Sequence, residues 1–462
     1  SDKKLLLPIS DQKSRGTSPA NSRKSIFESI TESIISKKDQ YLNNHKDPFI
    51  SGNFLLRRVV SGTYVFKTFP ISPNAPSIRT QLPAMVPSEL VQSNIRNIAK
   101  KYIGRESLKV TQTVAFSSPI SSLQFFSSFL KYYELIDKAN QSETPEMRVA
   151  LILANFLMAV STFAEETKKP MTPLLGETYE WTDGKIKIFS EQVSENPSIA
   201  ALHAETEDFE LDSTFEMNED SSILSFKDWM KSKIEIRLKG YTEMYKVFFP
   251  KLVPKNVVFG KQYLWIKSSL NVECSSGLIG KLEFLPPSND LGTKFSCVGT
   301  VFDKNRPDLL HLSGKWNKNI YCSSQKISQK TLLAEREPEI PKWEYQFYFD
   351  SFLVNANNLT LNMLNYLPSS DSRLRTDIRA YENRQIELAE SEKNRLEQRQ
   401  KEIKRQMVLQ QKEWIPKWFA NTTVDEMKYR YNYKYWKCRT DGQWPEDMLD
   451  LFSEDPINLE SY

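Results

Sequence analysis

Lys169 to Pro197 reads KPMTPLLGETYEWTDGKIKIFSEQVSENP, and its punctuation decides how the rest of the chain is read. Pro170, Pro173 and Gly176 mark a loop. TYEW and KIKIF then alternate with period two about Asp183-Gly184, a hairpin signal, and Asn196-Pro197 closes the next loop. An ordinary core element does not carry so many turn residues, so this is a place where something is bound or positioned.

Downstream the same period persists. SIAALHA, IEIRL, VVF, YLWIKSS, KLEFL, FSCVGTVF and WEYQFYF read as further short strands, joined by turns such as Lys239-Gly240 and Ser276-Gly277. So many alternating strands over roughly 170 residues predict a large antiparallel sheet, and a sheet that wide curls or closes. The expected fold class is α+β, with a barrel able to enclose an apolar cavity large enough for a lipid.

Upstream the period changes to that of helices. Ser88 to Ile103 places Val91, Ile95, Ile98 and Tyr102 on one face, an amphipathic helix. Pro119 is expected to open a helix with the stripe Ile120, Leu123, Phe126, Leu130 and Tyr133, and Thr144-Pro145 a second one, apolar almost all round to Phe163. A helix apolar all round is a buried one. Before these, residues 1 to about 40 read as a Ser- and Lys-rich linker, and FLLRRVV and TYVFKTF as two strands about Ser61-Gly62.

Composition bounds the function. The 462 residues are 39% hydrophobic and 12% aromatic, enough for a substantial core. Sixty-two basic residues against 58 acidic ones leave a net charge of +4, which disfavours wholesale nucleic-acid binding. Cys274, Cys297, Cys322 and Cys438 form no CxxC pair, imply no metal or redox cofactor, and with no secretory leader in view are expected to be reduced cytosolic thiols. The apolar run Val149 to Val160, interrupted by Asn155, is too short to span a bilayer. Catalysis has little support. His45, His203 and His311 are the only histidines, and there is no GxSxG elbow, HExxH helix or P-loop. Glu177 and Glu180 are better placed to fix a loop and a strand than to act as acid and base.

In the last third, Lys393, Glu397 and Lys401 lie at i, i+4 and i+8, on one face of a helix. Spacing alone makes this a solvated, ion-paired face. Ile386, Ala389, Leu396, Ile403 and Met407 approximate a heptad, but Lys393 and Gln400 fall on its seam.

Several motifs, taken together and in order, resemble the oxysterol-binding-protein-related lipid carriers. Lys169 to Glu177 is similar to the family's KPxNPxLGE loop, and Glu191 to Ser198 to its EQVSHHPP fingerprint. RTQLPAMVP from Arg79 resembles RTxLPA. Asn256 to Ile266 and Leu312 to Ile320 resemble the NxxxGxLWI and GxWNxxI strands. The elements DSRxRPD, KxxLExxQR, PxWF and YWxxR follow. Thr172 replaces an Asn, Glu195 and Asn196 the two histidines, Ser198 a Pro, Thr376 a Pro and Lys401 an Arg.

The resemblance implies an incomplete antiparallel barrel around a lipid tunnel, flanked by helices and closed by an N-terminal lid. It divides the chain into an extension at 1–78 and a lipid-binding domain at 79–462. Within that domain it places a lid at about 88–104, a helical layer at 119–166, the barrel at about 178–350 and a helical subdomain at 351–462. It implies a headgroup site at Lys169, Thr172, Glu195, Asn196, Lys393, Glu397 and Lys401, with lid contacts from Val91, Ile95, Ile98 and Tyr102. The implied partners are a sterol or phospholipid and, transiently, membrane surfaces, with no cofactor or nucleic acid; the chain is expected to be a monomer. A tether or regulator on the same fold is the alternative.

The replaced histidines would clasp a ring phosphate. Losing two charge-assisted hydrogen bonds, at about 1.5 to 3 kcal/mol each, removes at least about a hundredfold of affinity. A carboxylate about 4 Å from a phosphate adds roughly 4 kcal/mol of repulsion per unit charge at an effective dielectric near 20, unless it turns away or finds a cation. Lys401 also lacks the bidentate geometry of Arg. Phosphatidylinositol 4-phosphate is therefore expected to bind weakly or not at all.

Overall fold

The computed structural model describes residues 55–58, 64–67, 78–85, 114, 117–162, 168–217, 230–255, 263–286, 295–324, 327–422, 427–454 and 457. The expected amphipathic helix with Val91, Ile95, Ile98 and Tyr102 lies outside them, as do the linker to residue 40 and the run VVF. Strands β1 (Leu55–Arg58) and β2 (Tyr64–Lys67) form a hairpin, and β3 (Ser117–Ser121) pairs in parallel with β4 (Lys169–Met171).

One antiparallel sheet of twelve strands dominates. In chain order it contains β5 (Thr178–Thr182), β6 (Lys187–Glu195), β7 (Ser198–Glu205), β8 (Phe209–Met217), β9 (Met230–Leu238) and β10 (Met244–Phe248). After the separate hairpin β11 (Leu252–Lys255) and β12 (Tyr263–Ile266) it resumes as β13 (Leu270–Cys274), β14 (Ile279–Phe284), β15 (Ser296–Phe302), β16 (Leu310–Lys315), β17 (Asn319–Ser324) and β18 (Ile327–Glu335). Neighbours in sequence are neighbours in the sheet, with β10 beside β13, and among the described residues β5 and β18 are its open edges. The sheet is a meander that does not close.

Its inner layer is helical. Helix α1 (Ser122–Ser127) is capped by Ser121, whose Oγ accepts from Leu123 N while Gln124 Oε1 accepts from Ser121 N. This capping box starts the helix after Pro119, which belongs to β3 instead of the helix's first turn. The stripe Ile120, Leu123, Phe126, Leu130 and Tyr133 is nonetheless buried as the spacing predicts. Beyond α2 (Glu134–Asn140), α3 (Pro145–Thr162) runs where Thr144-Pro145 puts it, and packs on β13–β16 and β18. Gly280 lets it come close: a Cβ there would lie 2.5 Å from Leu153 Cδ1 and 2.6 Å from Val149 Cγ1. By length and composition α3 could cross a membrane, but 83% of it is buried inside the protein.

WEYQFYF is not a strand. Trp343–Tyr345 form a 3-10 turn, and Phe347 and Tyr348 take φ values of 58° and 57°. The alternation arises because Trp343, Phe347 and Phe349 are all buried in a compact turn, held by Gln346 Nε2 donating to Pro341 O and Gln346 Oε1 accepting from Leu82 N. Conversely FELDSTFEM, too polar to stand out, forms β8, its Glu210 paired at 3.2 Å with Arg237 of β9.

Of the C-terminal elements α4 (Ser351–Ala356), α5 (Thr376–Glu382), α6 (Ile386–Leu409), β19 (Phe419–Asn421), β20 (Tyr429–Tyr431) and α7 (Tyr435–Asp441), the first two bury their apolar residues in the main core, while β19, β20 and α7 cover the other side of the early strands. Strand β6 shows the consequence: Ile188 enters the main core, whereas Phe189 and Val193 enter a second cluster with Trp418, Phe419, Tyr431 and Tyr435. Because both faces of β6 are covered, its polar residues Glu191 and Gln192 are buried too.

Candidate functional site

Three segments far apart in sequence converge on one cavity of about 370 Å³: β4 with the loop after it, the β6–β7 turn, and the middle of α6. Its walls include Lys169, Thr172, Glu195, Lys393, Glu397 and Lys401, six of the seven residues expected at a headgroup site. Asn196, exposed in the β6–β7 turn, is not among its lining residues. Met171, Leu174, Leu175, Leu396 and Met217 supply the apolar part of the lining.

The loop is held by buried ions. Glu177 accepts from Leu174 N at 2.9 Å, from Ser372 Oγ at 2.7 Å and from Arg375 Nη1 at 2.9 Å. Arg375 Nη1 also donates to Thr172 O, at 2.8 Å, and Nη2 pairs with Asp377 at 2.6 Å. Burial alone would lower the Arg375 pKa; the Asp377 and Glu177 carboxylates outweigh it and hold the guanidinium above its ordinary value. Gly176 completes the turn at φ +83°, where a Cβ would sit 2.5 Å from the Trp414 ring. Trp414 Nε1 in turn donates to Val193 O at 3.1 Å, so the loop, β6 and the segment after α6 are tied together.

Glu191 is a second anchor. Fully buried, it accepts from Lys417 N at 2.9 Å and Trp418 N at 3.0 Å. Burial pushes its pKa up to about 7, opposed by those two backbone donors. Gln192 N donates to Glu177 O, and Gln192 Nε2 donates to Ser194 O and Ser198 Oγ. Glu177 and Glu180 both act as fixing groups, as expected: Glu180 accepts from Tyr435 Oη at 2.7 Å and Arg439 Nε at 2.8 Å.

The cavity is electrostatically mixed. Lys169 is half-buried, and loss of water lowers its pKa to about 8. On α6, Lys393 Nζ pairs with Glu397 at 2.6 Å, the i, i+4 contact that spacing predicts. Glu195 is not the uncompensated carboxylate expected from the sequence. It accepts from Lys404 Nζ at 2.8 Å and Gln400 Nε2 at 3.0 Å, and so turns toward α6. Sequence reading missed Gln400 and Lys404, although they continue the face of Lys393 and Glu397 at i+7 and i+11. It also gave Arg375 no role in the site. Leu396, Ile403 and Met407 pack against Leu174, Leu451 and Phe452, while Ile386 is exposed, so the heptad stripe is a core contact of one helix.

His203 is structural. Its Nδ1 lies 2.8 Å from Asp212 Oδ1 and its ring stacks on Tyr431, while Arg430 joins Asp212 at 2.9 Å to Glu235 at 2.5 Å. No cluster of three metal-ligating side chains occurs among the described residues.

This arrangement can be set beside known proteins. The family model described as "Oxysterol-binding protein" matches residues 94–440. Oxysterol-binding protein-related protein 1B of Arabidopsis thaliana is 32% identical over 391 residues, covering 81% of this chain and 77% of that protein. Oxysterol-binding protein-related protein 1 of Rattus norvegicus is 31% identical over 415 residues, but there the match covers 78% of this chain and 43% of the relative. The chain thus spans less than half of some relatives. Among solved structures, the Osh3 ORD of Saccharomyces cerevisiae in complex with PI(4)P aligns with a TM-score of 0.67 at 26% identity, over 79% of this chain and 97% of that one. The Osh1 ORD domain in complex with cholesterol shares the fold, with a TM-score of 0.68 at 21% identity over 82% and 94%.

Proposed function

The chain belongs to the oxysterol-binding protein family, and from that premise we propose that it is a lipid-binding and lipid-transfer protein. It carries a sterol or a phospholipid in an apolar tunnel and binds phosphatidylinositol 4-phosphate weakly. The observation that carries this reading is the convergence of Lys169, Lys393 and Lys401 on one partly apolar cavity in which Glu195 is already engaged by Lys404 and Gln400. The three lysines suit a single anionic group on the ligand, and Glu397 positions Lys393 by its ion pair. A headgroup with a second, ring-bound phosphate would meet the Glu195 carboxylate in that cavity.

Two further points follow from the same reading. Transport proceeds by sequestration: apolar lipid surface leaving water is worth about 25 cal/mol per Å², so no chemical step and no cofactor is needed. The protein works at the cytoplasmic face of membranes, peripherally, at sites such as endoplasmic reticulum contacts.

The test is extraction from liposomes carrying a fluorescent sterol, a phosphatidylcholine or phosphatidylinositol 4-phosphate. Wild type should extract sterol or phospholipid, and Glu195→His with Asn196→His should raise phosphatidylinositol 4-phosphate extraction. The reading fails if wild type extracts no lipid, or extracts phosphatidylinositol 4-phosphate as well as the double variant does.

A further inference from the structure

The neutral lining of the cavity narrows the ligand further than its three lysines do. Beside the charged groups, the wall carries Ser117, Ser122, Thr172, Gln192, Ser198 and Gln400. Gln192 is 1% exposed, and its amide is oriented by Ser194 O, which can only accept. Nε2 therefore donates to that carbonyl at 2.9 Å and to Ser198 Oγ at 3.0 Å, while Oε1 accepts from no donor among the described residues. A buried acceptor without a donor is costly, and on a cavity wall the occupant can supply the donor. The hydroxyls of the wall are complementary. Ser198 Oγ accepts from Gln192 and keeps its own hydrogen to donate, whereas Ser122 Oγ gives its hydrogen to Met171 O at 3.3 Å and keeps its lone pairs to accept.

The charge of the site matches one phosphodiester. Arg375 is outweighed by one charge through its ion pairs with Glu177 and Asp377, Lys393 is balanced by Glu397, and Glu195 by Lys404. With Lys169 and Lys401, the cavity and its ion-pair partners come to a single positive charge. A phosphodiester carries one negative charge, and a phosphate on the ring adds about 1.5 to 2 more. The Glu195 and Glu397 carboxylates can accept from hydroxyls but repel a second phosphate. A hydroxyl on the ligand suits both kinds of neutral partner, donating to Gln192 Oε1 or accepting from Ser198 Oγ. A choline headgroup has no hydrogen to give.

We propose that the headgroup taken by this cavity is a neutral polyol on a single phosphodiester, the chemistry of phosphatidylinositol without a ring phosphate, and that Gln192 Oε1 accepts from one of its hydroxyls. This inference rests on the lipid-carrier reading and names the ligand class of the same site. It gives Gln192 a second task besides fixing the β6–β7 turn, that of selecting ligands that bring a hydrogen-bond donor.

The experiment compares extraction from phosphatidylcholine liposomes carrying, at equal mole fraction, phosphatidylinositol, phosphatidylmethanol, phosphatidylinositol 4-phosphate or a fluorescent sterol. Phosphatidylmethanol has the same single charge and no hydroxyl. Wild type should extract phosphatidylinositol at least about fivefold better than phosphatidylmethanol, the gain from two hydrogen bonds, and at least about tenfold better than phosphatidylinositol 4-phosphate. Gln192→Met, shown to be folded by its thermal midpoint, should reduce the first ratio to less than about twofold; if that variant does not fold, the comparison of lipids in wild type still decides. Glycerophosphoinositol, the same headgroup without acyl chains, should compete only at about a hundredfold excess or more. The inference is overturned if either lipid preference is absent, or if glycerophosphoinositol competes at equal concentration, which would make the ligand a soluble polyol phosphate. A folded Gln192→Met protein that keeps the full ratio overturns the role of Gln192. Wild type that extracts sterol or phospholipid without these preferences leaves the carrier reading standing, whereas wild type that extracts no lipid at all removes both.

Discussion

Lys404 offers the sharpest test of how the cavity selects its ligand. The Lys404 side chain is 57% exposed and that of Glu195 31%, so their ion pair contributes only about 0.2–1 kcal/mol to stability after solvent screening. Lys404→Met should therefore leave the fold almost unchanged. Its effect on ligand choice is larger, because it returns an unpaired carboxylate to the cavity wall. At about 6 Å from a bound phosphate and an effective dielectric near 20, that carboxylate costs about 3 kcal/mol per unit charge, roughly a hundredfold in affinity. Glu195→Gln does the opposite: it removes the carboxylate and releases Lys404 to reach an anion. Phosphatidylinositol 4-phosphate extraction should rank Glu195→Gln above wild type and wild type above Lys404→Met, over about two decades. Extraction of an uncharged sterol should be the same for all three. If the three proteins differ by less than about twofold toward the phosphoinositide, or if sterol extraction falls in the same order, Glu195 does not govern the headgroup and the argument is wrong.

Two other outcomes follow from the groups that build and charge the cavity. Arg375→Met leaves Glu177 and Asp377 as buried carboxylates without their cation, so it should cost about 3–5 kcal/mol in urea denaturation, far more than any change on the exposed face of α6. Burial brings the Lys169 pKa to about 8, so the ammonium is present at pH 7 and lost as pH rises through that value. Binding of an anionic lipid should weaken from pH 7 to pH 9, whereas sterol binding should not; Lys169→Met should abolish that pH dependence, and an unchanged pH profile in the variant would assign it to another group.

The readable parts of this molecule are those whose signals are local. Asp183-Gly184, Thr144-Pro145 and the i, i+4, i+8 run through Lys393 each specify their element within a few residues, and each stands where its pattern puts it. The misread parts depend on distant partners or on ambiguous patterns. WEYQFYF alternates like a strand because a compact turn can also bury every second or fourth aromatic, and its decisive contact, Gln346 with Leu82, is long-range. Pro119 signals the start of a helix until Ser121 and Gln124, a few residues on, supply a better cap. Glu195 is the clearest case. Its charge is plain in the sequence, but its meaning depends on Gln400 and Lys404, more than two hundred residues away.

That long-range dependence also explains how the opening motif divides. Most of the residues it shares with the family's pattern are buried and bonded: Glu177 to Arg375 and Ser372, Glu191 to the backbone of Lys417 and Trp418, and Gln192 to the turn it precedes. Replacing any of these strands a buried donor or acceptor, whatever the ligand. Thr172 and Glu195, two of the positions where the resemblance expects another residue, line the cavity at exposed or partly exposed places, where a change alters what the cavity offers without breaking the scaffold. Ser198, where the resemblance expects a proline, is buried instead, and its hydroxyl accepts a bond from Gln192. The scaffold and the ligand preference of this chain are therefore separable by substitution. Changes at Glu195 should move lipid selectivity at nearly constant stability, and changes at Glu177 or Glu191 should move stability first.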